Sequence, residues 1–174
     1  VHLSFKGGHV MKIVDKFINN IIELIMAASS LVLSVVTLLQ VISRFILKNP
    51  IAWGQDVVRL SFIYLVFWGG AYCVKEKGHL NIDILLTAVK GKTRYIIEFL
   101  INIVLLAFFA FIIYYGFIFT KTGVTQKAPY LDIPMSIYYL SLPTAGILMF
   151  YYQIKQIIAQ IKDFEDGNFG GDQI

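Results

Sequence analysis

The chain has 174 residues, of which 57% are hydrophobic and only 15% charged, and its mean hydropathy is +0.71. Soluble domains average about 45–50% apolar and about 25% charged residues, so disorder, collagen-like repeats and nucleic-acid binding are poor fits despite a pI near 9.1. The single cysteine, Cys73, excludes an internal disulfide, a CxxC redox pair and a cysteine-based zinc site.

The 15 Lys and Arg and 11 Asp and Glu residues are clustered, and four uncharged runs lie between the clusters. They are Leu24–Ser43 (20 residues), Leu60–Val74 (15), Phe99–Thr120 (22) and Ile133–Ile154 (22). Crossing about 30 Å of hydrocarbon takes about 20 helical residues. The first, third and fourth runs suffice unaided. The second suffices if its helix begins near Trp53 and carries Asp56 and Arg59 in its first turns, at i,i+3 spacing. An Arg near the headgroups extends its guanidinium to water, and Trp53 takes an interfacial depth. Four such runs predict an all-α membrane protein with four transmembrane helices.

Lys6, Lys12, Lys16, Lys75, Lys77, Lys90, Lys92, Arg94, Lys155 and Lys162 fall on one side of these spans. Arg44, Lys48, Arg59, Lys121 and Lys127 fall on the other. The excess places both termini in the cytoplasm of a bacterial inner-membrane protein. The first apolar run lacks a cleavage site close after it and is expected to stay as an anchor, with Met11 a natural start. Residues 1–12 read as a flexible extension, 13–162 as the transmembrane domain, and the acidic, glycine-rich 163–174 as a disordered tail.

Asn49-Pro50 favours a turn, so the first two helices should form an antiparallel hairpin at the outer face. After Gly78, Ile82, Leu85, Leu86 and Val89 recur at i, i+3, i+4 and i+7, which predicts a short amphipathic interfacial helix between helices two and three. Lys121 to Asp132 reads as an irregular outer loop. Pro134 suits the first turn of the last helix, and Pro143 should kink it by freeing the Tyr139 carbonyl.

Ionisable groups are absent from the middle of the first, third and fourth runs, where a carrier or membrane enzyme usually keeps some. Glu23 and Glu98 sit at the inner ends of helices one and three. They are the groups a self-contained proton-coupled carrier would use, although Glu98 is better explained by pairing with Lys92 or Arg94. His2, His9 and His79 lie outside the runs, so haem ligation has no basis; His79 and Asp83 at i,i+4 make only a weak two-ligand pair. The sequence implies no enzyme activity, cofactor or metal.

The order Arg44, Asn49-Pro50, Trp53, Asp56, Arg59, then Phe67-Trp68-Gly69-Gly70-Ala71, then Gly78-His79-Leu80-Asn81-Ile82-Asp83 resembles a known family. It is similar to the small integral-membrane subunit (DctQ type) of the tripartite ATP-independent periplasmic (TRAP) transporters. Leu131-Asp132-Ile133-Pro134, Tyr138 and Pro143 match that family's proline-bearing approach to its last helix, and the likeness spans roughly Val14–Lys162. Members usually carry Glu near the Trp; here Gln55-Asp56 keeps the charge on a shorter side chain. The resemblance implies a sodium-driven transporter for an organic anion, of the C4-dicarboxylate or sialic acid class. A periplasmic binding protein (P type) would deliver the anion to a large membrane subunit (M type), scaffolded in the lipid bilayer by the small one. Arg44, Trp53, Asp56, Arg59, Trp68, His79, Asp83, Pro134 and Pro143 are then candidates for subunit contact or helix packing, not for catalysis.

Overall fold

The computed structural model describes residues 7–76 and 92–165. The expected interfacial helix, with His79 and Asp83, lies outside the described residues, as do residues 1–6 and 166–174. The described chain is helical: α1 (Gly7–Phe45), α2 (Trp53–Lys75), α3 (Lys92–Gly123), α4 (Ser136–Tyr139) and α5 (Ser141–Glu165). Helix α1 thus begins within the segment read as an extension, and α2 begins at Trp53, as the short second run requires.

Three stretches are long and apolar enough to cross a membrane: Asp15–Phe45, Trp53–Lys75 and Tyr95–Gly123. The fourth run does not form one uninterrupted apolar helix. Ile133 bonds back to the loop, residues 136–139 form α4, and Leu140 separates it from α5. Helix α5 therefore joins the rest of that run to the amide- and lysine-bearing turns Gln153–Lys162, which lowers its mean hydropathy. The cause is Pro143. It has no N–H for the Tyr139 carbonyl, and the helix breaks one residue after Tyr139. Hydroxyls serve the adjacent carbonyls: Ser141 Oγ donates to Tyr138 O (2.8 Å) and Thr144 Oγ1 to Leu140 O (2.8 Å). Leu140 keeps helical dihedrals (φ −60°, ψ −24°), so the chain continues through the break in a helical path.

The chain divides into two compact units, Val1–Gly69 and Gly70–Ile174. In the first, α1 ends where Asn49 N–H donates to Ser43 O (3.1 Å), Ser43 Oγ donates to Asn49 O, and Lys48 takes the left-handed region at φ 51°. Pro50 cannot extend the helix. α2 then returns antiparallel to α1: Gly54 lies against Gln40, and Gly69 lies 3.9 Å (from its notional Cβ) from Met26 Cε. The predicted hairpin is present.

In the second unit α3 and α5 run antiparallel at close range. A Cβ on Gly116 would stand 2.9 Å from the Pro143 nitrogen, and one on Gly146 would stand 3.0 Å from Ile113 Cγ1. Gly123, at the end of α3, abuts Ser136 and Tyr139 equally closely. Backbones packed this near leave little room for side chains, which is how helices gain contact where water supplies no driving force. Phe109, Tyr138, Ala145, Met149 and Tyr152 are buried in this unit. The last turns of α2 belong here too, with Gly70 facing Met149 and the Val74 carbonyl accepting from Gln156 Nε2. The connection from α3 is ordered: Ala128 N–H donates to Ile133 O (2.9 Å), Met135 N–H to Gln126 O (2.8 Å), and Lys127 pairs with Asp132 at 2.6 Å. The loop read as irregular is a small closed turn.

Gly116→Val forces a branched side chain into the Pro143 backbone and should cost about 1–3 kcal/mol, seen as a lowered Tm in detergent. Gly69→Ala meets only ordinary contact and should leave Tm unchanged.

Candidate functional site

Two polar centres stand out. The first lies around the α1–α2 turn, where Ser43 is buried and holds the Asn49 carbonyl, Asp56 is buried at the start of α2, and Gln40 lies across Gly54. Asp56 sits in the first turn of α2, where a helix N-terminus favours negative charge. Its side chain is 0% exposed. Arg44 and Arg59 stay exposed, and the Arg44 guanidinium sits 5.9 Å from the Phe45 ring centroid. The structure thus buries the acid of the expected trio and leaves its two bases at the surface. Trp53 is 46% exposed at the start of α2, as an interfacial indole would be. Trp68 is partly buried, with a buried Nε1 that finds no acceptor among the described residues. Pro134 is exposed and bridges to Lys127, while Pro143 is buried against Gly116.

The second centre was not anticipated from the sequence. Gln153 Nε2 donates to Asn102 Oδ1 (2.8 Å), Asn102 Nδ2 donates to Gln160 Oε1 (2.7 Å), and Gln160 Nε2 reaches the Tyr95 carbonyl (3.4 Å). A carbonyl only accepts, so Tyr95 O fixes the orientation of Gln160, then of Asn102, then of Gln153. The outcome is a one-way ladder of three amides joining α3 to α5. It ends at Gln153 Oε1, which is buried and accepts nothing among the described residues. Gln156, one position off the ladder, holds the end of α2 instead. A signal was available: Gln153, Gln156 and Gln160 lie at i, i+3 and i+7, a polar stripe on one helix face.

Chemically the ladder is a clamp. Neutral amides do not titrate near neutral pH, and these bond chiefly to one another and to the backbone. Glu98, a rival's candidate for proton coupling, lies one turn before Asn102 on α3 and is engaged in interactions of its own. Glu23 is exposed on α1.

Such an all-helical chain, with long apolar helices and amides closed between them, is the geometry of a membrane subunit. Comparison with known proteins agrees. Residues 33–163 match the family described as tripartite ATP-independent periplasmic transporters, DctQ component, and the chain belongs to that family. It is 28% identical to the sialic acid TRAP transporter small permease protein SiaQ of Vibrio cholerae, over 87% of this chain and 88% of that protein. It is 24% identical to the C4-dicarboxylate TRAP transporter small permease protein DctQ of the same organism, over 70% of this chain and 53% of that one. It is 22% identical to the sialic acid TRAP transporter permease protein SiaT of Haemophilus influenzae, over 87% of this chain but only 24% of that longer protein. The chain is therefore a small permease component of a multi-pass inner-membrane transporter, working with a large membrane subunit and a substrate-binding protein.

Asn102→Leu strips partners from both Gln153 and Gln160, whereas Gln153→Leu removes the orphan oxygen together with its amide. The first should cost about 1–2 kcal/mol of stability in detergent and the second less than half of that. Thermal unfolding of the two variants side by side gives the order.

Proposed function

We propose that the chain is a four-span scaffold for the large transport subunit of a sodium-driven transporter that takes up an organic anion of the sialic acid or C4-dicarboxylate class. One observation carries the reading. The polar side chains of α3 and α5 close on each other and bind the helices together, where a conduit would turn them toward a passage. Helices α4 and α5 together supply the fourth span, the break at Leu140 being served by hydroxyls within the chain. The twofold excess of Lys and Arg on one side supports cytoplasmic termini. The sequence likeness to small permease proteins named for sialic acid and for C4-dicarboxylate supports the substrate classes.

Within this reading Arg44, Asp56 and Arg59 hold the outer rim of α1 and α2, and Trp53 sets their depth. Trp68 and Pro143 shape helix packing, and Pro134 shapes the turn that leads into α4.

Reconstitution in liposomes tests the proposal. Labelled sialic acid or succinate should enter only when this chain, the large subunit and the binding protein are all present with an inward sodium gradient. Uptake by this chain alone, or uptake indifferent to sodium, would contradict it. Asp56→Ala empties a fully buried position at the rim and should lower co-purification of the large subunit about tenfold, as losing a buried charged group commonly does.

A further inference from the structure

Helices α1 and α3 expose very different faces. Along α3 the exposed surface is apolar from Ile96 through Leu100, Val104, Phe108 and Phe111, and its one amide, Asn102, turns inward to the ladder. Along α1 the exposed surface includes Asn20, Glu23, Ala27, Ser30, Ser34 and Thr37. Steps of three and four residues keep these six on one side of the helix. Of the three membrane-length helices, α1 is the most one-sided in polarity, and these six residues are all exposed.

Hydrocarbon tolerates the α3 face and the exposed Leu24, Leu31, Val35 and Leu38 of α1, and disfavours the polar ridge of α1 beside them. Serine hydroxyls directed at lipid tails, with a carboxylate at their inner edge, carry a free-energy cost that a second protein relieves by supplying partners. The Glu23 side chain is exposed and makes no ion pair among the described residues. Its charge calls for a basic or hydroxyl-bearing partner. The occupant has a precedent in sequence: in the permease of Haemophilus influenzae the segment resembling this chain makes up only 24% of a longer polypeptide, so there the same module is joined to further permease sequence.

We infer that the Glu23–Ala27–Ser30–Ser34 ridge of α1 is the surface on which the large membrane subunit docks, with a basic or hydroxyl side chain of that subunit meeting Glu23, and that the exposed face of α3 meets lipid. The inference rests on the reading of this chain as the small subunit. Ala27 and Ser34 admit close approach of a partner helix, and the hydroxyls bond across it.

The test uses the co-expressed complex, with a photo-crosslinking residue placed singly at Ala27, Ser34, Val104 or Phe108. Ala27 and Ser34 should crosslink to the large subunit, and Val104 and Phe108 should not. As a second measurement, Ser34→Phe should reduce co-purified large subunit about tenfold, the scale of a blocked central contact, while Val104→Phe leaves it unchanged. An intact complex in which the α1 positions crosslink to a second copy of this chain, or to nothing, overturns the inference and leaves the subunit assignment standing. So does crosslinking to the large subunit from the α3 positions alone. If no complex with a large subunit forms at all, the assignment fails and this inference falls with it.

Discussion

In hydrocarbon a polar group has no water to fall back on, and the arrangement of α3 against α5 follows from that constraint. Asn102, Gln153 and Gln160 would be costly facing lipid, so they face one another, and doing so fixes the register of two helices. The glycine contacts at Gly116 and Gly146 come from the same register, since they bring the backbones near enough for short amide side chains to meet. Amides and glycines depend on each other: shift α5 by a turn along α3 and both sets of contacts are lost together.

The same constraint explains why a broken helix persists at the other end of this pair. Pro143 withholds a donor, and the chain answers with Ser141 and Thr144, whose hydroxyls bond the carbonyls of Tyr138 and Leu140. The proline is also a packing surface, with Gly116 pressed against it. A residue that weakens its own helix thus helps to seat that helix against its neighbour.

Much of this was legible in the amino-acid sequence. Runs without charge mark the long helices, Trp53 marks the start of α2, and Asn49-Pro50 marks the hairpin, because each reflects a local rule that tertiary packing does not override. Pro143 pointed to the break, since a missing N–H is a property of one residue. The extent of α1 was harder, because charged residues near a membrane surface continue a helix as readily as they end it. The amide ladder stayed hidden for another reason: Asn102 and Gln153 are far apart in the chain, and only the antiparallel pairing of α3 with α5 brings them within 2.8 Å. The fourth run showed the limit of counting apolar residues, as its first eight serve the turn and α4 and leave α5 to begin at Ser141. For Arg44, Asp56 and Arg59, charge pattern identified the right neighbourhood; burial then separated the acid from the two bases.

Amides that close on one another between α3 and α5 have little chemistry to offer a solute. In the scaffold proposed above, the chain's influence would be mechanical. Helix α1 runs without interruption through 39 residues, about 58 Å at about 1.5 Å per residue, or nearly twice the thickness of the hydrocarbon layer. No proline, glycine pair or bulge divides it after its first residues, so it behaves as a stiff lever. Leaning such a rod by about 10°, well within the ordinary spread of membrane-helix tilts, swings one tip about 10 Å relative to the other. On the scaffold reading, a modest change in seating at one end of α1 would be felt, enlarged, at the other.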